Sequence, residues 1–122
     1  MSTLSVSNIT DGTDTVETGY VVNGSAKAWV NFFGGAPVSI RESLNTSSIT
    51  DVANGIYRAN FSSGMTSANY AALLGSGSMV YDQGTLQDVS TSAYVGIKVQ
   101  DGYVSTFIDA SIVTAGIFGD LA

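Results

Sequence analysis

The sequence predicts an all-β fold: an antiparallel β-sandwich, jelly-roll-like, preceded by an extended N-terminal arm. Three observations predict it. Short runs alternate apolar and polar residues with period two, as strands with one buried face do. Turn residues (Gly, Asn-Gly, Asp-Gly and the single Pro37) recur between those runs. No segment carries a helical apolar stripe long enough to stand alone. The arm is expected over residues 1–26 and the sandwich over 27–122.

Composition narrows the function. The chain has 122 residues, enough for one domain with its own core. Charged residues make up 11%, against about 25% in a typical soluble protein. Apolar residues make up 44%, and Gly numbers 14. Low charge with apolar residues to spare points to burial against partner chains. Net charge is −6 and the four basic residues stand singly, which excludes phosphate-neutralising contact with nucleic acid. No run reaches transmembrane length, so no membrane insertion is expected. Residues 1–12 lack the basic and apolar regions of a secretory leader.

The elements follow in order. Residues 1–24 are polar and simple in composition, with single apolar residues. Leu4 and Val6 keep period two and, with Ile9, suggest one short strand in an arm that orders against a partner or neighbouring chain. In residues 27–32, Ala28, Val30 and Phe32 alternate with Trp29 and Asn31, so both faces carry bulk. Trp29, Val30 and Phe32 are therefore assigned to the core or a subunit interface. Gly34, Gly35 and Pro37 mark a turn. In 38–44, Val38, Ile40 and Glu42 are expected on one face, with Ser39, Arg41 and Ser43 on the other.

Asn54-Gly55 predicts a tight reversal between strands at 47–51 and 56–61. Tyr57 and Phe61 share a face there and are assigned to the core or interface. Residues 62–67 read as a loop and 68–74 as a strand running on into 78–81. Residues 76–91 read as a polar excursion with a turn at Asp82, Gln83 and Gly84. Ala93, Val95, Ile97 and Val99 predict a strand with one apolar face, Asp101-Gly102 a second reversal, 103–110 a returning strand and 111–118 a last one.

Catalytic and metal chemistry find little to work with. The chain has neither His nor Cys, so a Ser-His-Asp or Cys-His set cannot be built within it, and neither thiolate sites nor disulfides are available. Carboxylate pairs such as Glu42 with Asp51, or Asp101 with Asp109, have plain structural explanations beside turns. Asp11-Gly12-Thr13-Asp14 lacks the ligand count of a calcium loop and reads as a polar turn. No catalytic residue, metal or cofactor is expected, and the chain is not expected to be an enzyme. Among aromatics, Trp29 is the first candidate for stacking on sugar rings, with Tyr70, Tyr81, Tyr94 and Tyr103 behind it, but a lone Trp in an apolar strand usually packs in a core or interface.

Residues 27–61 carry a recognisable pattern. Lys27-Ala28-Trp29-Val30-Asn31-Phe32, the Gly34-Gly35 turn, Ile40-Arg41, the run from Asn45 to Asp51, Gly55, Tyr57 and Asn60-Phe61 stand in the order seen in tail-fibre-like virion structural proteins of tailed bacteriophages of marine and cyanobacterial type. Met65, Ala68-Asn69-Tyr70-Ala71, Met1 to Leu4 and the lead-in Asn23 to Ala26 add to the likeness. The chain resembles that family over roughly half its length. The resemblance implies a virion appendage made in the host cytoplasm: a homotrimer attached through its arm to other tail or capsid proteins, with Leu4, Val6 and Ile9 as attachment residues. It leaves two roles open. One is a tail fibre or spike that binds a host-surface glycan or protein through Ser63, Thr66, Tyr81, Gln83 and Gln87. The other is a head fibre or decoration protein that stabilises the capsid without a receptor.

Overall fold

The computed structural model describes residues 1–77, 82–85, 90–101 and 106–122. Among the described residues, eleven strands and one short helix form in chain order. They are β1 (Asn8–Thr10), β2 (Thr15–Glu17), α1 (Thr18–Gly24), β3 (Ala28–Phe33), β4 (Ser39–Leu44), β5 (Thr46–Ala53), β6 (Ile56–Phe61), β7 (Ala71–Ser76), β8 (Asp82–Thr85), β9 (Tyr94–Asp101), β10 (Thr106–Phe107) and β11 (Val113–Phe118). Every strand pairing among the described residues is antiparallel.

Two sheets face each other across one core. The first runs β4-β3-β11-β7, and the second β10-β9-β6-β5 with β8 also pairing β9. Alternation puts Ala28, Val30 and Phe32 of β3 and Val113, Ala115 and Ile117 of β11 on the inner face of the first sheet. Tyr57, Ala59 and Phe61 of β6 and Val95, Ile97 and Val99 of β9 line the inner face of the second. All twelve belong to one buried cluster, and each large apolar side chain buried in this way stabilises the fold by about 1.5–3 kcal/mol. Phe32 and Tyr57 meet edge-to-face across the sheets with ring centroids 5.2 Å apart, and Phe61 meets Tyr70 in the same manner at 5.7 Å. The chain is thus an all-β antiparallel sandwich, and Val30, Phe32, Tyr57 and Phe61 are core residues.

Trp29 is not. It lies on the outer face of the first sheet and stays 37% exposed, because the inward positions of β3 are filled by its neighbours Ala28 and Val30. The expected face of β4 also changes. Asn31 lies opposite Glu42, but Phe32 lies opposite Ile40, so Arg41 is an extra residue. This bulge reverses the alternation: Ile40 and Ser43 lean inward, and Glu42 is exposed.

The chain crosses between sheets at Asn45, the one non-glycine residue with positive φ (53°) among those described. Asn tolerates that region better than other non-glycine residues. Its side chain also fixes the corner. Nδ2 donates to the carbonyls of Lys27 (3.1 Å) and Ser63 (2.9 Å), and Oδ1 accepts from the Ser63 amide (2.6 Å). The β5–β6 reversal at Asn54-Gly55 forms where expected, but only Gly55 takes positive φ (70°). Asn54 instead donates through Nδ2 to the Phe107 carbonyl at 2.8 Å.

Two further readings are corrected. Asp82, Gln83 and Gly84 do not turn: they lie in β8, paired along β9 with Gln83 opposite Val99. The N-terminal segment is not simply extended. β1 and β2 form a hairpin with Ile9 opposite Val16, and one and a half to two turns of helix follow. The β1–β2 turn is the polar one expected: Asp11 Oδ1 accepts from the amides of Thr13 and Asp14 at 2.9 and 2.8 Å. These bonds hold the Asp11 carboxyl below its ordinary range. The expected extension of β7 into 78–81 lies outside the described residues.

Candidate interaction surfaces

The segment before β3 has no core of its own. No residue ahead of Ala28 is buried. Leu4 is 82% exposed and Tyr20 72%, while Val6, Ile9, Val16, Val21 and Val22 are also exposed. A hairpin of two three-residue strands and a seven-residue helix are each too short to be stable in water without burying a face. What holds them here is polar. Thr18 donates through its amide to the Ser7 carbonyl (2.9 Å) and through Oγ1 to the Val6 carbonyl (2.9 Å). Lys27 Nζ donates to the carbonyls of Val22 and Ser25, placing its charge at the C-terminal end of α1, where the helix dipole favours a cation.

A second apolar surface lies on the outer face of the first sheet. Register places Leu44 of β4 opposite Trp29, Trp29 opposite Gly116 of β11, and Gly116 opposite Leu73 of β7. One row across all four strands therefore reads Leu44, Trp29, Gly116, Leu73. Leu44 is 49% exposed and Leu73 67%. Phe118 lies on the same face, its ring edge 3.7 Å from where a Gly116 Cβ would stand. Gly116 thus leaves a gap without a side chain beside the Phe118 ring. Arg41 borders this face: its guanidinium donates to the Ser111 carbonyl (2.6 Å) and Asn31 Oδ1 (3.3 Å) and lies 5.8 Å from the centroid of the Phe33 ring.

The loop read as receptor-facing is partly tethered. Ser63 and Thr66 are exposed, yet the Ser63 amide is held by Asn45, and the Thr66 amide donates to the Asp120 carbonyl at 2.8 Å. Between them Met65 is buried and its amide donates to the Ser92 carbonyl. Gln83 belongs to β8, and Tyr81 and Gln87 lie outside the described residues. The sugar-stacking candidates divide likewise. Tyr70 is buried, its hydroxyl donating toward the carbonyls of Tyr94 (2.7 Å) and Thr91 (3.1 Å). The Arg58 guanidinium lies 5.0 Å from the centroid of the Tyr94 ring, and Tyr103 is outside the described residues.

Leu44, Leu73, Phe118 and the Tyr20-Val21-Val22 run were not singled out by sequence. The row needs the register of four strands, which period-two counting within one strand does not supply. The run in α1 spans less than one helical turn, too little to show a period.

Asp109, weighed earlier as half of a carboxylate pair, has a structural task. Its Oδ1 accepts from the Gly55 amide and the Tyr57 hydroxyl, both at 2.8 Å, and the same hydroxyl lies 2.7 Å from the Gly34 carbonyl. Burial first, and then Asp109, push the Tyr57 phenol well above its ordinary value of 10.0. The folded chain keeps this proton where the unfolded chain has lost it. Stability is therefore unaffected by this group at neutral pH and declines above about pH 10, by about 1.4 kcal/mol per pH unit. Urea unfolding near pH 9 and near pH 11 should show a decline that is about 1 kcal/mol smaller in Tyr57→Phe than in the unsubstituted chain. Equal declines in the two proteins would contradict it.

No protein family, curated protein or solved structure matches this chain.

Proposed function

We propose that this chain is a bacteriophage virion structural protein, a tail-fibre or spike-like appendage that works as an oligomer, with a homotrimer as its assembly. The observation that carries this reading is the N-terminal segment, which holds eight exposed large apolar residues around no core. Such a segment gains its stability from another chain, as an attachment element of a particle does. Leu4 and Val6, ahead of the hairpin, are the residues offered to the other tail or capsid proteins. The family-like pattern of residues 27–61 supports the same assignment. Host contact through a surface glycan or protein falls to the exposed Ser63 and Thr66 and to residues of the 81–91 stretch.

A particle reconstruction, together with adsorption competition by the purified protein, tests the reading. Expected results are density for the sandwich on the tail, with three copies per site, and slower adsorption when free protein is added. Density at capsid symmetry without competition would replace it with the head-fibre or decoration role. Absence of the chain from purified particles would sink both.

A further inference from the structure

The described residues leave two apolar surfaces uncovered: the hairpin and helix of the N-terminal segment, and the Leu44–Trp29–Leu73 row with Phe118 on the first sheet. We propose that they cover each other between copies: Ile9, Val16, Tyr20, Val21 and Val22 of one chain dock on the outer face of the first sheet of a second chain. The occupant of the sheet face is thus the N-terminal segment of another copy. This assignment concerns how copies meet: it takes Ile9, Val16, Tyr20, Val21 and Val22 for contact between copies and leaves Leu4 and Val6 for the particle, so it can fail without the virion reading failing.

Three observations argue for this occupant. First, among the described residues the row stays open although the segment that could cover it ends beside it. Lys27 bonds by its amide to the Ile117 carbonyl at 2.8 Å, two residues from Trp29, and its Nζ holds the end of α1 there. The segment reaches the border of the face without lying on it. Second, charge disfavours packing one segment on another. Residues 1–24 contain Asp11, Asp14 and Glu17 and no Lys or Arg, so two segments together would gather six carboxylates, two sets of three, at close range. The sheet face offers Arg41 against a single acid, Glu42, beside Asn31. Third, the chemistry matches. Short aliphatic side chains and one Tyr meet a face that carries Trp29 and Phe118 on either side of the side-chain-free Gly116 in register and sequence, the aromatic-centred composition that dominates interface energetics. Leu4 and Val6 precede the hairpin and remain free for a third partner.

The absence of Cys from the chain makes the contact directly testable. Val21→Cys and Leu73→Cys variants of the full chain, carrying different affinity tags, are co-expressed and treated with a short bismaleimide. The expected product is a cross-linked pair carrying both tags, at least tenfold more abundant than either same-tag pair. In parallel, light scattering should report a multimer for the unsubstituted chain and a smaller mass for Tyr20→Ser/Val21→Asp, with unchanged β-sheet circular dichroism. Trp29, the only Trp, should shift its emission to the red in that variant.

Three results would overturn the proposal. One is a single-chain mass for the unsubstituted protein. Another is a preponderance of Val21→Cys same-tag pairs, which would mean segment on segment. The last is closure within one chain when both cysteines are placed in the same copy, which would mean that the segment folds back on its own sheet.

Discussion

Gly55→Ala is expected to cost about 3 kcal/mol or more, enough to leave a domain of this size marginally folded. Two independent effects add. Gly55 has φ of +70°, a region in which any Cβ is strained by about 1–2 kcal/mol. A Cβ built there would also stand 2.6 Å from the Val99 carbonyl and 2.7 Å from both the amide and the carbonyl of Ile108. Those atoms are backbone, so no side-chain rotation relieves the collision. The Val99 amide donates to the Gly55 carbonyl at 2.7 Å, and the Gly55 amide donates to Asp109. Pushing the tip of the β5–β6 hairpin away from β9 therefore loosens several bonds at once. Thermal unfolding measured with Asn54→Ala beside it separates causes. The neighbour, which keeps negative φ, should lose only its bond to Phe107, about 1 kcal/mol. Equal losses at the two positions would refute the steric account.

Phe32→Ala is expected to cost about 3–5 kcal/mol. Phe32 is completely buried, opposite Val113 within its sheet and edge-on to Tyr57 across the sandwich. Its removal opens a cavity between sheets that are pinned by their hydrogen-bond ladders and cannot collapse to fill it. The Tyr57 hydroxyl, held by Gly34 and Asp109, keeps that ring from following. Denaturant titration should show a lowered midpoint with an unchanged slope. A loss below about 1 kcal/mol would mean that the two sheets close up after all.

Much of the sandwich is legible in the sequence, for a physical reason. Where a strand runs without a bulge, inward positions must be apolar every second residue, as in Ala28, Val30 and Phe32 or in Val95, Ile97 and Val99. Tyr57 and Phe61 follow the same rule. The readings that fail are those in which local counting misses a non-local event. The extra residue at Arg41 reverses the faces of β4, and nothing in that run marks it. β8 contains Asp82 and Gly84, which look like turn residues, yet a strand can be recruited by the backbone of β9 whatever its side chains. Trp29 reads as core or subunit interface, and the neighbouring positions, which decide the face that turns inward, leave only the interface. The short α1 between Gly19 and Gly24 has low intrinsic helical propensity, and its last carbonyls are held by Lys27 from outside it. On the candidate surfaces, the short strand expected through Leu4, Val6 and Ile9 includes only Ile9, because Leu4 and Val6 have no partner strand among the described residues, and the row across four strands requires the register.

The place of β11 bears on how the protein is made. It is the last of the described strands, yet it sits inside the first sheet with β3 on one flank and β7 on the other. During synthesis both flanking strands emerge earlier and wait with an unpaired edge, a known route to mispairing between nascent chains. The closing ladder joins Phe32 to Val113, a contact of long sequence range, which makes folding slow relative to a local hairpin such as β5–β6. The sheet therefore completes only after residue 118 has left the ribosome, so that translation itself sets the earliest moment at which the Trp29 face exists.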